Sequence, residues 1–294
     1  MTHTERLQRS PEAFRRLTGL SVEAYRHLLA QVEPAWQAAQ AKRRARPHRQ
    51  RKPGAGPKFA LCVADQLLML LIYYRTYVSH VFLAFLFGVD DSTVCRNIRF
   101  LEPLLTGIFR IPERKVELQP DEIREAFFDG TEQPRNRPQA KQKRYYSGKK
   151  KRHTLKSQVV VVRKRKKAGR RKGKQKQKRR VRVAAVSPTH PGKVHDKKVY
   201  DRTRTIVPRD VAGYGDTGYQ GTRLRTPLKK KRGQKLSRRQ RRGNRRISRK
   251  RIVAEHAIGK MKIWRIVSER FRNPTRRHTL INKNVAGLHN RMFA

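Results

Sequence analysis

Residues 126–162 read AFFDGTEQPRNRPQAKQKRYYSGKKKRHTLKSQVVVV, and this stretch decides the fold. An apolar triplet, Ala126-Phe127-Phe128, leads into Asp129. A segment opening at Tyr145-Tyr146-Ser147-Gly148 ends in the run Gln158-Val159-Val160-Val161-Val162. Short runs rich in β-branched and aromatic residues, bounded by Gly, Pro and polar clusters, predict strands. Val181 to Val186 predicts a third strand. His195-Asp196 opens a short helix through Tyr200, with Asp196 as its cap. Val211 to Tyr214 predicts a strand ending at Gly215-Asp216, and a long helix follows from about Ser248 to Val267. Three neighbouring strands, a crossover helix and a further strand give the order of a ribonuclease H-like mixed sheet, so 121–294 is read as an α/β domain. There are no internal repeats.

Working outward, the segment 163–180, RKRKKAGRRKGKQKQKRR, has no acid and only Ala168 as an apolar anchor. It reads as a basic insertion, an exposed hairpin tip or disordered. Another basic stretch covers 222–251. Upstream, 1–40 reads as short helices: Ser10-Pro11-Glu12 is a helix start, and Ser21 caps a helix carrying Val22, Tyr25, Leu28 and Leu29. Residues 41–58, AKRRARPHRQRKPGAGPK, read as a basic linker without a packed core. Residues 59–110 read as an all-α unit with helices over Val63–Tyr74 and Val78–Phe87. Gly88 breaks the second, and Asp91 or Ser92 caps a third running to about Leu104. On that third helix Val94, Ile98, Leu101 and Leu105 share one face, and Thr93, Arg96 and Asn97 another. Helix, Gly-containing turn, helix is the helix-turn-helix arrangement, with the last helix offered to a major groove. A plain three-helix packing unit fits the same pattern equally well, and charge decides for DNA.

That charge is large. The 75 Lys and Arg against 21 Asp and Glu give a formal net charge of +54. Such a surface suits a polyanion, because each neutralised phosphate releases a condensed counterion. Membrane binding fits less well, since neither an amphipathic helix nor a lipid-anchor signal is present. The N-terminus lacks the apolar core of a signal peptide. Arg75, Ser79 and His80 interrupt the apolar stretch Leu67–Val89, which reads as two core helices, not a membrane span. A soluble, cytoplasmic, DNA-associated protein is expected. Cys62 and Cys95 lack metal-ligand spacing and read as small buried hydrophobes.

Few acids remain to carry chemistry. Cutting DNA with two Mg²⁺ (or Mn²⁺) ions needs carboxylates from different elements around one point. Asp129 follows a strand and precedes Gly130. Asp216 lies in Gly215-Asp216-Thr217-Gly218-Tyr219, where glycines leave room for a metal or phosphate, though the motif also reads as a turn. Glu255 shares a helix face with Arg251 and Lys262, with Gly259 leaving a gap. The neighbouring face carries Ala254, Ala257, Ile258, Met261 and Trp264 as a core stripe. An exposed Arg–Glu pair explains that face about as well. Glu132 is expected to pair with a nearby Arg.

In combination these features resemble the DDE-type insertion-sequence transposases whose N-terminal helix-turn-helix precedes an RNase H-like catalytic domain. The resemblance is carried by Phe128-Asp129-Gly130-Thr131-Glu132, by Gln142 through Thr154, by His195-Asp196, by Gly215 through Tyr219, and by Asn244 through Lys262 with Arg251-x3-Glu255-x6-Lys262, then Phe271-Arg272-Asn273. It implies that Asp129, Asp216 and Glu255 are the three catalytic, metal-binding acids, and that Arg251 and Lys262 contact DNA phosphates. The Tyr145–Lys151 hairpin, with Lys149, Lys150 and Lys151, is implied to touch substrate. Two departures stand out: Ser248 occupies the position three before Arg251 where relatives often carry Tyr, and 163–180 is longer than a short turn. The implied activity is strand cleavage at element ends and strand transfer by a homo-oligomer acting on double-stranded DNA. A catalytically inactive or domesticated DNA-binding relative is the alternative. A basic RNA-binding structural protein would predict neither the helix-turn-helix nor acids at these spacings.

Overall fold

The structure is a computed structural model of the chain and describes residues 1–45, 59–114, 122–164, 181–230 and 232–292. The chain forms two units: Met1–Arg110 with Ile263–Ile266, and Ile111–Lys262 with Val267–Ala294.

In the first unit, capping residues set the helix starts. Helix α1 (His3–Gln8) begins with a reciprocal capping box between Thr2 and Glu5. Helix α2 (Pro11–Thr18) has Pro at its first position and closes on Gly19, at φ +80°. Helix α3 (Val22–Arg44) starts where the Ser21 hydroxyl accepts the Ala24 N–H at 3.1 Å. It runs into the expected linker, because Ala, Lys and Arg are good helix formers and the basic residues complement the dipole of a last turn. The remainder of the linker, 46–58, lies outside the described residues. Helices α4 (Val63–Thr76), α5 (His80–Phe87) and α6 (Asp91–Phe109) follow. Helix α5 begins two residues after Val78 because Ser79 caps it, and Gly88 in the left-handed region ends it. The cap of α6 is Asp90, not Asp91 or Ser92, and the helix continues past Leu104 to Phe109.

The stripe Val94, Ile98, Leu101 and Leu105 is buried, as its spacing requires. Phe14, Tyr25, Leu28 and Leu67 of the other helices are buried as well, and α6 packs on α3, α4 and α5. Each such fully buried side chain contributes about 1.5–3 kcal/mol. Neither cysteine is buried: Cys62 stands outside the first turn of α4 and is exposed, and Cys95 lies beside the buried stripe and is half-buried. No helix of the described residues is long and apolar enough to cross a membrane.

The second unit is built on one long strand. Strand β1 (Ile123–Pro134) is followed by a single-turn helix α7 (Gln142–Tyr145), strand β2 (Tyr146–Ser147) and strand β3 (Arg152–Lys164). Then come β4 (Val181–Val186), β5 (His190–Pro191), helix α8 (Asp196–Thr203) and β6 (Ala212–Tyr214). One edge of β3 pairs antiparallel with β1 along its length; the other takes β2, β5 and β4 in succession. Strand β6 returns parallel to β1 on the far side, so the body of the sheet runs β4-β3-β1-β6. This is the mixed RNase H-like sheet. Val159 to Val162 are buried on both faces of the sheet, which explains an apolar run without alternation. Ala126, Phe128, Val160 and Val162 share one cluster with Ala185, Val211 and Tyr219. Phe127 stacks on Tyr214 at 5.5 Å.

Several expectations are corrected here. Arg163 and Lys164 belong to β3, paired with Glu125 and Ile123 of β1; the rest of the insertion, 165–180, lies outside the described residues. The long helix α9 spans Arg238–Met261 and begins ten residues before Ser248, where Ser237 and Gln240 form a capping box. Ala254, Ala257, Ile258 and Met261 form its buried stripe. Trp264 lies beyond the helix and belongs to the first unit, where it is fully buried with its ring 3.0 Å from the point a Cβ on Gly19 would occupy. A further helix, α10 (His278–Arg291), packs on β4.

Candidate functional site

The parallel pairing of β1 and β6 places Phe127 opposite Tyr214, and two residues beyond that pair in each segment stand Asp129 and Asp216. The Gly130 N–H donates to Asp129 Oδ1 at 3.0 Å, and the Gly218 N–H donates to Asp216 Oδ1 at 2.8 Å, which opens a short 3₁₀ turn over Thr217–Tyr219. Asp216 is thus both a turn residue and a neighbour of Asp129. Glu255 is exposed on α9, and one turn earlier the Arg251 guanidinium lies 3.6 Å from Asp129 Oδ1.

Electrostatics ties the acids together. Burial drives the Asp129 carboxyl up to about 6; the charges of Asp216 and Glu255 push the same way, and Arg251 and the Gly130 N–H oppose them. A group of carboxylate oxygens with surplus negative charge suits a hard divalent cation. Among the described residues no three acids are gathered tightly enough to hold an ion as they stand, and the guanidinium of Arg251 is the charge set against Asp129. Arg251 is itself largely buried, with 13 % of its side chain exposed, so it faces an acid and not open solvent.

Positive charge borders the acids. Lys262 caps the C-terminal end of α9; burial lowers its pKa, the charge of Lys150 lowers it further, and Asp129 opposes. Lys149, Lys150 and Lys151 are exposed on the turn joining β2 to β3. At the hairpin base, the Arg135 guanidinium lies 4.4 Å from the centre of the Tyr145 ring. In the first unit, Arg96 is exposed on α6 and bridges the hydroxyls of Ser92 and Thr93 at 3.1 Å; Thr93 and Asn97 are half-buried beside it.

A second charged group adjoins the acids. The ammonium of Lys156, on β3, reaches Glu132 Oε1 at 3.3 Å, Asp196 Oδ1 at 3.1 Å and the Val194 carbonyl at 2.9 Å. The partner of Glu132 is therefore Lys156, not an arginine. Asp196 is not the cap of α8: His195 takes that place, its Nδ1 accepting the Lys197 N–H, and Asp196 points at Lys156. Sequence reading missed Lys156 and left Tyr219 without a role. The available signals were a lysine three residues before the apolar run Val159–Val162 of a predicted strand, and a tyrosine one residue after the glycine that bonds Asp216.

Comparison with known proteins bears on the family of the chain. The family model described as DDE superfamily endonuclease matches residues 177–290, which include Asp216 and Glu255; Asp129 lies before the matched segment. The model described as helix-turn-helix of DDE superfamily endonuclease matches residues 59–109. A protein of Microchaete diplosiphon named "Probable transposase for insertion sequence element IS702" is 30% identical over 292 residues, covering 96% of this chain and 95% of that protein. No solved structure matches the chain.

Proposed function

The chain belongs to the DDE-type insertion-sequence transposases, and we propose that it cuts DNA at element ends and joins the freed 3′ end to target DNA in a divalent-metal-dependent reaction. The observation carrying this reading is the field at Asp129: a mostly buried carboxyl held near two further acids from separate elements, Asp216 and Glu255. These three would hold Mg²⁺ or Mn²⁺, two ions in the working site. When bound, such ions activate the attacking oxygen and stabilise the leaving oxygen of an in-line displacement.

The chain's own residues do the rest. The glycines beside Asp129 and Asp216 make room for the carboxylate of Asp196 and the ring of Tyr219, not, as expected from the sequence, for a phosphate. Lys262 and the Lys149–Lys151 turn supply cations for the scissile phosphate and its neighbours. Helix α6 offers Thr93, Arg96 and Asn97 to the element's terminal sequence. Water opens the phosphodiester, leaving a 3′-hydroxyl and a 5′-phosphate. The 3′-hydroxyl then attacks a target phosphodiester and displaces a target 3′-oxygen, so no covalent protein intermediate is needed. Cutting two ends in concert calls for two or more copies of the chain.

The test is Mg²⁺-dependent cleavage of element-end DNA by wild type and by Asp129→Ala, Asp216→Ala and Glu255→Ala. Each substitution should abolish cleavage without abolishing DNA binding. Cleavage that survives all three would refute the proposal. A wild-type chain that binds end DNA and never cuts it would instead be the inactive DNA-binding relative.

A further inference from the structure

The carboxylate of Asp196 is wedged between the two glycines that accompany the proposed metal acids. A Cβ on Gly130 would stand 2.8 Å from Asp196 Oδ1; a Cβ on Gly218 would stand 3.0 Å from Asp196 Oδ2 and 2.9 Å from Asp216 Oδ1. One acid therefore touches the backbone next to Asp129 and the backbone that bonds Asp216. Lys156 fixes it there. Its ammonium has three donors and three acceptors, Glu132, Asp196 and the Val194 carbonyl, and its side chain is 9 % exposed. Lys156 meets Oδ1 at 3.1 Å, and Oδ2 lies on the side of Gly218.

Tyr219 supplies a second, independent observation. Its side chain is fully buried, and its hydroxyl has no hydrogen-bond partner among the described residues. Asp196, Asp129 and Asp216 are the carboxylates whose charge acts on that hydroxyl, Asp196 most strongly. A buried phenol with nothing to bond costs about 1–3 kcal/mol, and such a group calls for a partner from outside the protein. The phenol and Asp196 Oδ2 thus lie beside the same pair of proposed metal acids.

We infer that Asp196, clamped by Lys156, and Tyr219 stand behind Asp129 and Asp216 and hold the hydration water of a divalent cation bound there. The inference rests on the metal site proposed above and adds two positioning residues to it. Magnesium and manganese ions keep several waters when few carboxylates bind them, and those waters need oxygen partners. Asp196 Oδ2 accepts from such a water, and the Tyr219 hydroxyl donates to or accepts from another. Lys156 orients Asp196 and makes no contact with the ion.

The experiment measures Mn²⁺ binding to the DNA-free, full-length chain by electron paramagnetic resonance, with thermal stability recorded in parallel without metal. Asp129→Asn should abolish binding. Asp196→Asn should weaken it by about 10–100-fold, the usual effect of removing a partner behind a metal ligand. Tyr219→Phe should weaken it by about tenfold while stability stays level or rises, because the change removes an unpaired hydroxyl. A purely structural Tyr219 would leave metal affinity unchanged, and so Tyr219→Phe decides the matter if Asp196→Asn fails to fold. Folded Asp196→Asn and Tyr219→Phe that bind Mn²⁺ within about twofold of wild type, beside a non-binding Asp129→Asn, would overturn this inference alone. Wild-type binding by Asp129→Asn would overturn the metal site itself.

Discussion

Replacing Lys156 by Met should destabilise the catalytic unit more than any surface substitution. The ammonium sits 3.3 Å from Glu132 and 3.1 Å from Asp196, with 9 %, 9 % and 23 % of the three side chains exposed. At an effective dielectric of about 20, each contact carries roughly 5 kcal/mol of gross attraction. Most of that offsets the cost of taking three charges out of water. Deleting the cation keeps the cost and removes the return, leaving two carboxylates facing each other, and such losses run to about 3–5 kcal/mol. Methionine retains the apolar stem, so packing contributes little to the change. For a unit of this size the expected fall in melting temperature is about 6–20 °C. Trp36 and Trp264, the two tryptophans of the chain, both belong to the first unit. Their fluorescence would miss the effect, and the assay is hydrogen exchange of β1 and β3 amides with urea titration by circular dichroism. Adding Glu132→Gln to Lys156→Met should recover a measurable part of the loss, since the two side chains are coupled. A loss below about 1 kcal/mol for Lys156→Met would refute the reasoning, because it would mean that water already screens all three charges.

Further outcomes follow from other parts of the molecule. Burial lowers His278 to about 3 and His289 to about 4, so both are neutral in the folded chain. The unfolded chain takes up these protons first as pH falls; stability is complete above about pH 6.5 and is lost on acidification by about 1.4 kcal/mol per pH unit per histidine. Urea midpoints that stay flat between pH 7 and 4.5 would contradict this. Gly19→Ala should cost the first unit about 1–2 kcal/mol for its left-handed backbone alone, and more where the new methyl meets the Trp264 ring. Tryptophan fluorescence reads it directly, and an unchanged urea midpoint would show that the ring moves aside freely. Affinity for DNA should fall steeply between 50 and 200 mM salt, as expected when lysines and arginines neutralise several phosphates; a flat dependence would remove the basic surface from the binding reaction.

Which parts could be read in advance follows from what each residue does. Strands announced themselves because both faces of the sheet are covered, so Phe127, Phe128 and Val159 to Val162 form unbroken apolar runs. Helix starts at Pro11 and Ser21 and a helix end at Gly88 were legible, because these residues act locally. The beginning of α9 was hidden because Arg238 to Arg246 carry no apolar stripe; only the Ser237–Gln240 capping box marks it. Helix α10 escaped notice because its buried residues include His278, Asn282, Asn284 and His289, polar side chains that read as surface. The three acids proposed to bind metal stood out in the sequence against a scarcity of acids. Lys156 could not: its role depends on register, which sets it opposite Glu132 and brings Asp196 over from another element. Tyr219 is equally mute, since a buried hydroxyl without a partner exists only in three dimensions.

The parallel return of β6 beside β1 bears on how the protein comes into being. Asp129 is made early in the catalytic unit, yet its neighbours Asp216 and Glu255 lie beyond β3, β4 and α8 in the chain. Pairing β1 with β6 closes a long loop, and non-local closures of this kind are slow to form. The helices of the first unit, within Met1–Arg110, are synthesised first, and only its short segment Ile263–Ile266 comes later. A chain still on the ribosome can therefore hold its helix-turn-helix in place well before its three acids meet. The site proposed from these acids is complete only after α9 has been made and has docked against the sheet.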